Sequence, residues 1–307
     1  MPAMQKSSAY HPVMQLLFLV LCCIVGAVIF SIIWLLCYFA MGQSVDFASL
    51  ANANTMDIGF LRALQISSSL GMFVAAPIAF AYINEVKPAQ YLYLNKVAPA
   101  TLFVLVFVLM LCATPLLEWL ALVNQKMQLP HALKDLEIWM RAKETEAAML
   151  TKKLLVMHNY SDLAINLLMI AIIPAVGEEL FFRGGLQNIF GQWFKNPHIA
   201  IWLTAIVFSA IHVQFFGFFP RMFLGALFGY LLVYSGSIYL PMLGHFINNG
   251  SAVIMAFVIQ RQGGKLDNLE EINAFNSYAY LISAILTLVL LFYFIKSAKQ
   301  LDEQQLG

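Results

Sequence analysis

Apolar residues gather along this chain into long blocks, and polar residues fill the short intervals between them. A bilayer core takes about 20 apolar residues per crossing helix. By that measure the pattern predicts eight membrane spans, roughly at residues 13–41, 61–83, 97–123, 154–176, 199–219, 221–236, 238–260 and 279–296. The expected fold class is therefore all-α, a polytopic bundle of about eight transmembrane helices. The sixth span is short and lies between Pro220 and Pro241, so residues 199–260 are expected either as three helices or as two long ones and a broken one. The first block, Val13 to Met41, exceeds the roughly 7–15 residues of a signal-peptide core and reads as a retained membrane helix.

Three connections stand out. Residues 42–60 are small and polar and read as a surface loop, as do residues 261–278 before the last span. Residues 124–153 hold Lys126, Lys134, Arg141, Lys143, Lys152 and Lys153 among acids and leucines. Leu136, Trp139 and Met140 there fall on one face of a helix, which suits an amphipathic helix at the membrane surface or a plainly solvated one. Lys6, Lys296 and Lys299 favour a cytosolic position for both termini, whereas the basic segment 124–153 would then lie outside. The sequence leaves orientation open.

Composition sharpens the membrane expectation. Of 307 residues, 61% are hydrophobic and 11% are charged, against roughly 25% charged in an average soluble domain. So few charges cannot coat a soluble fold of this size, and the surplus apolar surface must face lipid in a multi-pass membrane protein. A formal net charge of +1 gives no nucleic-acid footprint. Cys22, Cys23, Cys37 and Cys112 lie inside apolar blocks without metal-ligand or disulfide spacing.

Against that background, ionisable groups within the spans become the candidates for chemistry, because each costs at least about 2.5–3.5 kcal/mol at bilayer depth. From 154 to 260 they are His158, Asp162, Glu178, Glu179, Arg183, His212, Arg221 and His245, with Lys195 and His198 in a connection. His158 and Asp162 begin a span, where the interface can solvate them. Glu179 and Arg183, four apart on a helix, can pair. Glu178 points about 100° away, leaving an uncompensated carboxylate that suits a general base. Gly177, Gly184 and Gly185 permit close helix approach.

Phe208-Ser-Ala-Ile-His212 places a histidine in an apolar span, with Phe208 either walling a pocket or facing lipid. His245 and Asn249, one turn apart, share a face and can donate to an oxygen developing negative charge. Singly, the glutamate segment also fits a helix-end salt bridge at the membrane surface, His212 a satisfied hydrogen-bonder in a core, and His245 with Asn249 an interhelical polar clamp. Jointly they supply a base, proton-carrying histidines and an oxyanion donor. No serine or cysteine occupies a nucleophile setting, so activated water is the expected attacking group.

At these residues the sequence resembles the CPBP family of intramembrane proteases, the CAAX protease and bacteriocin-processing group. Its motifs Glu-Glu-x-x-x-Arg, Phe-x-x-x-His and His-x-x-x-Asn or Asp stand here as Glu178-Glu179-Leu-Phe-Phe-Arg183, Phe208-Ser-Ala-Ile-His212 and His245-Phe-Ile-Asn-Asn249. The resemblance covers residues 154–260 and divides the chain into 1–153 with three spans, a 154–260 protease-like core, and a 261–307 loop and final span. It implies an intramembrane endopeptidase acting on membrane-associated proteins or peptides. Carried over, Glu178 with His212 would activate water, His245 with Asn249 would hold the oxyanion, and Glu179 and Arg183 would orient the site. Metal-free chemistry with no cofactor is the expectation, with zinc on Glu178, His212 and His245 as the alternative. Two rival classes are a proton-coupled transporter, which predicts internal repeats and paired broken helices, and a silent scaffold or immunity protein, which predicts a damaged motif set. Substrate and oligomeric state are not legible.

Overall fold

A computed structural model of the chain describes residues 10–44, 56–84, 86–266 and 275–306. Much of the expected loops at 42–60 and 261–278, and Lys6, lie outside the described residues. Helix α1 spans Pro12–Ala40, α2 Ile58–Ile83, α3 Ala100–Gln125, α4 Lys134–Leu154, α5 Tyr160–Phe194, α6 Pro197–Ala210, α7 Phe218–Ser235, α8 Tyr239–Arg261 and α9 Ser277–Leu306. The protein is an all-helical, multi-pass membrane protein. Among the described residues, seven helices are long and apolar enough to cross a membrane, and α6 is a shorter apolar helix.

Local chemistry marks the helix starts. Pro12 opens α1, where the missing N–H costs nothing. Asp57 accepts from the Phe60 N–H ahead of α2 at 2.9 Å, Asn159 caps α5 through the Asp162 N–H at 2.9 Å, and Asn196 caps α6 through the His198 N–H at 2.9 Å. Pro115 interrupts the α3 ladder, and Ser283 of α9 repairs it. The Ser283 hydroxyl accepts from Leu116 N–H at 2.9 Å and donates to the Cys112 carbonyl at 2.5 Å. Such repair is what lipid demands of a helix with a freed backbone group.

Two expectations need correction. The short span is the fifth, α6, which ends at Ala210, and not the sixth. Pro220 and Pro241 each stand third in their helices. First-turn N–H groups have no intrahelical partner, so proline breaks nothing there. The fourth span also runs on to Phe194 instead of ending near 176, because Glu178–Gly185 continues the helix through a widened stretch instead of leaving it.

That widening recurs. Residues Leu70–Ala75 of α2 and Leu167–Ile172 and Leu180–Leu186 of α5 are π-helical. Each π turn re-aims the side chains beyond it and leaves a carbonyl short of its usual partner. Two of the three flank Glu178 and Glu179.

Packing closes the bundle around that segment. Leu19, Phe80, Tyr91, Leu92, Phe182 and Leu186 form one core joining α1, α2 and α5. Val106, Leu109, Phe228, Leu231, Leu240 and Phe294 form another among α3, α7, α8 and α9. Where α1 crosses α2, a Cβ on Gly26 would overlap the Gly71 carbonyl oxygen, so only glycine admits this approach. Arg62 of α2 donates to Asp162 at 3.2 Å and to the Leu154 and Val156 carbonyls at 3.0 and 2.7 Å. Asp162 is therefore held by an interhelical ion pair and not by the interface alone.

The expected amphipathic segment is helical as α4, and no side chain in it is buried. Arg141 pairs with Glu137 at 2.7 Å and holds its carboxyl below the usual carboxylate range. Trp139 leans on Phe215 with ring centroids 5.4 Å apart, so α4 touches the turn between α6 and α7.

Candidate active site

The helices around α5 enclose a cavity of about 460 Å³ lined by Glu178, Phe208, His212, Arg221, His245, Asn248 and Asn249, among others. Phe208 is buried and walls this cavity. Glu179 and Arg183 do not line it. They lie directly behind, with side chains fully removed from solvent.

Arg183 Nη1 donates to Glu179 Oε1 at 2.9 Å, the one-turn pair that the spacing predicts. Its Nη2 donates to the Gly225 carbonyl of α7 at 3.0 Å, and its guanidinium lies 4.7 Å from the Phe208 ring centroid. A charge this deep survives only when so paired. Glu179 Oε2 and Arg183 Nε nonetheless lack a partner among the described residues.

The same carboxylate oxygen that holds Arg183 also holds His245, whose Nδ1 lies 2.8 Å from Glu179 Oε1. A carboxylate accepts, so Nδ1 carries a proton. Phe228 stacks on the imidazole at 5.5 Å and 21°. Ring and rotamer are thereby fixed, and Nε2 is left facing Glu178, whose Oε2 lies 3.9 Å away. Glu178 has no direct ion pair with Arg183, and its side chain keeps 15% of its surface exposed.

His212 follows the C-terminal end of α6, and its Nδ1 meets the Phe208 carbonyl at 2.8 Å. A carbonyl only accepts, so Nδ1 donates and Nε2 carries the lone pair. The next residue, Val213, has φ +53°, a strained backbone for a β-branched side chain. Two residues outside the motifs pin this turn. Asn124 of α3 donates to the Phe215 carbonyl at 3.1 Å and accepts from Phe219 N–H at 2.9 Å. Glu144 of α4 accepts from Phe216 N–H at 3.2 Å.

Asn249 shares the cavity with His245, as one-turn spacing predicts. Its Nδ2 donates to the Ile170 carbonyl at 2.9 Å, in the π-helical stretch of α5 that precedes the glutamates. Its Oδ1 accepts from Asn248 at 3.0 Å. The amide is thus oriented, with one N–H left over.

Sequence reasoning overlooked Asn248, and it gave no role to the first 150 residues. Gln65 of α2 and Leu150, Thr151 and Leu154 of α4 also line the cavity. Gln65 carried the same signal that revealed the others, a polar side chain within an apolar block, on a stretch where no motif drew attention to it. The α4 residues carried none, because their role depends on where the helix docks.

The donor set gives zinc a poor fit. Among the described residues, no three His, Cys, Asp or Glu side chains stand close enough to share an ion.

Comparison with known proteins agrees with the motifs. Residues 160–251 match the family model described as type II CAAX prenyl endopeptidase Rce1-like. The chain is also similar to the uncharacterized protein YpbD of Bacillus subtilis (strain 168), at 27% identity over 105 residues, which cover 29% of this chain and 51% of that protein. The chain thus spans about half the length of this curated relative. No solved structure matches the chain.

Proposed function

We propose that this chain, which carries a CAAX prenyl endopeptidase family domain at residues 160–251, hydrolyses peptide bonds of membrane-associated protein substrates without a metal. The observation that carries the reading is the cavity shared by Glu178, His212, His245 and Asn249 inside an apolar bundle. Together they form a base, two oriented imidazoles and an amide donor.

In this mechanism the Glu178 carboxylate takes a proton from a water molecule. The lone pair on His212 Nε2 accepts the other water hydrogen and holds the oxygen toward the scissile carbonyl. Attack forms the carbon–oxygen bond and places negative charge on the former carbonyl oxygen. The spare N–H of Asn249 and His245 Nε2, protonated in this role, donate to that oxygen. The proton on Glu178 then passes to the amide nitrogen as the carbon–nitrogen bond breaks. Glu179 keeps His245 in position through Nδ1 and is itself anchored by Arg183. Lipid around the bundle keeps bulk water out, which strengthens each of these interactions.

The test is cleavage of a lipid-anchored peptide by the protein in liposomes. Glu178→Gln keeps the shape of the side chain and removes the base, so the rate is expected to fall about 10²–10⁴-fold. Cleavage at an undiminished rate would end the glutamate mechanism. Exhaustive chelation is expected to leave the rate within about twofold, since the three protein ligands that a catalytic zinc needs are not assembled among the described residues. Loss of activity that zinc restores would reverse the metal-free part alone.

A further inference from the structure

Two arginines stand beside the glutamates, and they are treated in opposite ways. Arg183 is sealed against Glu179. Arg221, in the first turn of α7, lines the cavity itself. Its Nη2 donates to Gln214 Oε1 at 2.9 Å, and its Nη1 reaches the Gln214 carbonyl at 3.5 Å. Both partners are neutral, and among the described residues no carboxylate lies within ion-pair distance of this guanidinium.

A cation in a membrane-spanning segment without a direct counter-ion is unfavourable and marks a functional site by default. Here that strain is accompanied by preorganisation. Gln214 fixes the guanidinium in one pose, which lowers the entropy lost when it grips a ligand. Gly217 makes room for the guanidinium itself, since a Cβ there would stand 3.1 Å from Arg221 Nη2.

We infer that Arg221 is a specificity residue that grips a carboxylate of the substrate, holding the peptide in the cavity with its scissile bond toward Glu178. The inference rests on the hydrolase reading above. A guanidinium fork matches a carboxylate with two parallel hydrogen bonds, and in a water-poor cavity such a pair is worth more than at a surface. The carboxylate comes either from the free C-terminus of the substrate or from an aspartate or glutamate side chain near the cleavage point.

The experiment uses the full chain in liposomes and three libraries of lipid-anchored peptides: C-terminal acids, C-terminal amides, and C-terminal acids without Asp or Glu. Wild-type protein is expected to cut its preferred carboxylate-bearing peptides about 10–100-fold faster, in kcat/KM, than peptides lacking that carboxylate, the range of one charged hydrogen-bonded contact. Loss on amidation identifies the chain terminus, and loss on removing acidic residues identifies a side chain. Arg221→Gln is expected to erase the preference, so that peptides with and without the preferred carboxylate are cut at equal rates, and Arg221→Lys to restore part of it. Equal preference in wild type and Arg221→Gln, or none in wild type, would overturn the inference and leave the hydrolase reading standing. If wild type and Glu178→Gln cleave no library, the hydrolase reading falls and the inference with it.

Discussion

Helices α1 and α5 both cross the membrane, yet they are built on opposite terms. Of the 29 residues of α1, only Gln15 and Leu19 are buried, and none is acidic or basic. Helix α5 carries Glu178, Glu179 and Arg183 and holds a run of buried residues from Phe182 to Ile189. It also contains two π-helical stretches, whereas α1 is regular throughout. The first helix mainly exchanges lipid for lipid-like side chains. The second uses its length to bury polar groups, several of which keep an atom without a partner among the described residues. The comparison teaches that a membrane protein concentrates its energetic strain where it places its chemistry, and that substitutions there should be far more damaging than elsewhere.

The largest expected effect is at the charge behind the cavity. Arg183→Met leaves Glu179 buried with only His245 to answer it. Breaking one side of such a pair costs about 3–5 kcal/mol, read as lost thermal stability in detergent. Adding Glu179→Gln is expected to return part of that loss while activity stays low, because His245 Nδ1 then loses its carboxylate. An Arg183→Met protein as stable as wild type would place the two helices on equal terms and break the comparison.

Next comes Asn249→Ala. Removal of one oxyanion donor costs about 2.7–4 kcal/mol of transition-state stabilisation, seen in kcat. The Ile170 carbonyl in the π-helical stretch also loses its partner, so a smaller loss of stability accompanies it. An effect confined to KM would remove Asn249 from the oxyanion site.

How much of this was legible in the sequence follows from the same contrast. Apolar block length revealed the spans because a bilayer imposes one thickness on all of them. It misjudged α6 and α7, since proline reads as a break wherever it stands and only its position within a turn decides the outcome. Local spacing revealed Glu179 with Arg183 and His245 with Asn249, because one helical turn fixes both. The contacts from Glu179 to His245, Asn249 to Ile170, and Asn124 to the turn after His212 join residues 66, 79 and about 90 positions apart. No periodicity encodes such distances, and π turns alter the register on which periodicity depends.

A smaller effect is expected at the one demanding point of α1. Gly71→Val forces the α2 backbone away from Gly26, where the two chains touch. Overpacking of this kind costs about 1–3 kcal/mol. It should appear as lower thermal stability, with kcat little changed in the protein that remains folded. A large fall in kcat at full stability would instead tie this crossing to the cavity.

The smallest effect tests the lipid-facing claim directly. Leu19 and Leu21 stand two residues apart on α1; Leu19 is fully buried against the core shared with α5, and Leu21 is 57% exposed. In water both truncations to alanine would lose the benefit of hiding apolar surface. In a bilayer that term vanishes, because acyl chains solvate a leucine as well as a neighbouring helix does. What remains at Leu19 is the cavity left behind, which lipid cannot enter, so Leu19→Ala still destabilises. At Leu21 acyl chains fill the space, and Leu21→Ala is expected to change stability by no more than about 0.5 kcal/mol. Unfolding in bicelles measures both variants side by side. If Leu21→Ala destabilised as much as Leu19→Ala, that face of α1 would be packed against protein, and the contrast with α5 would lose its lipid-facing half.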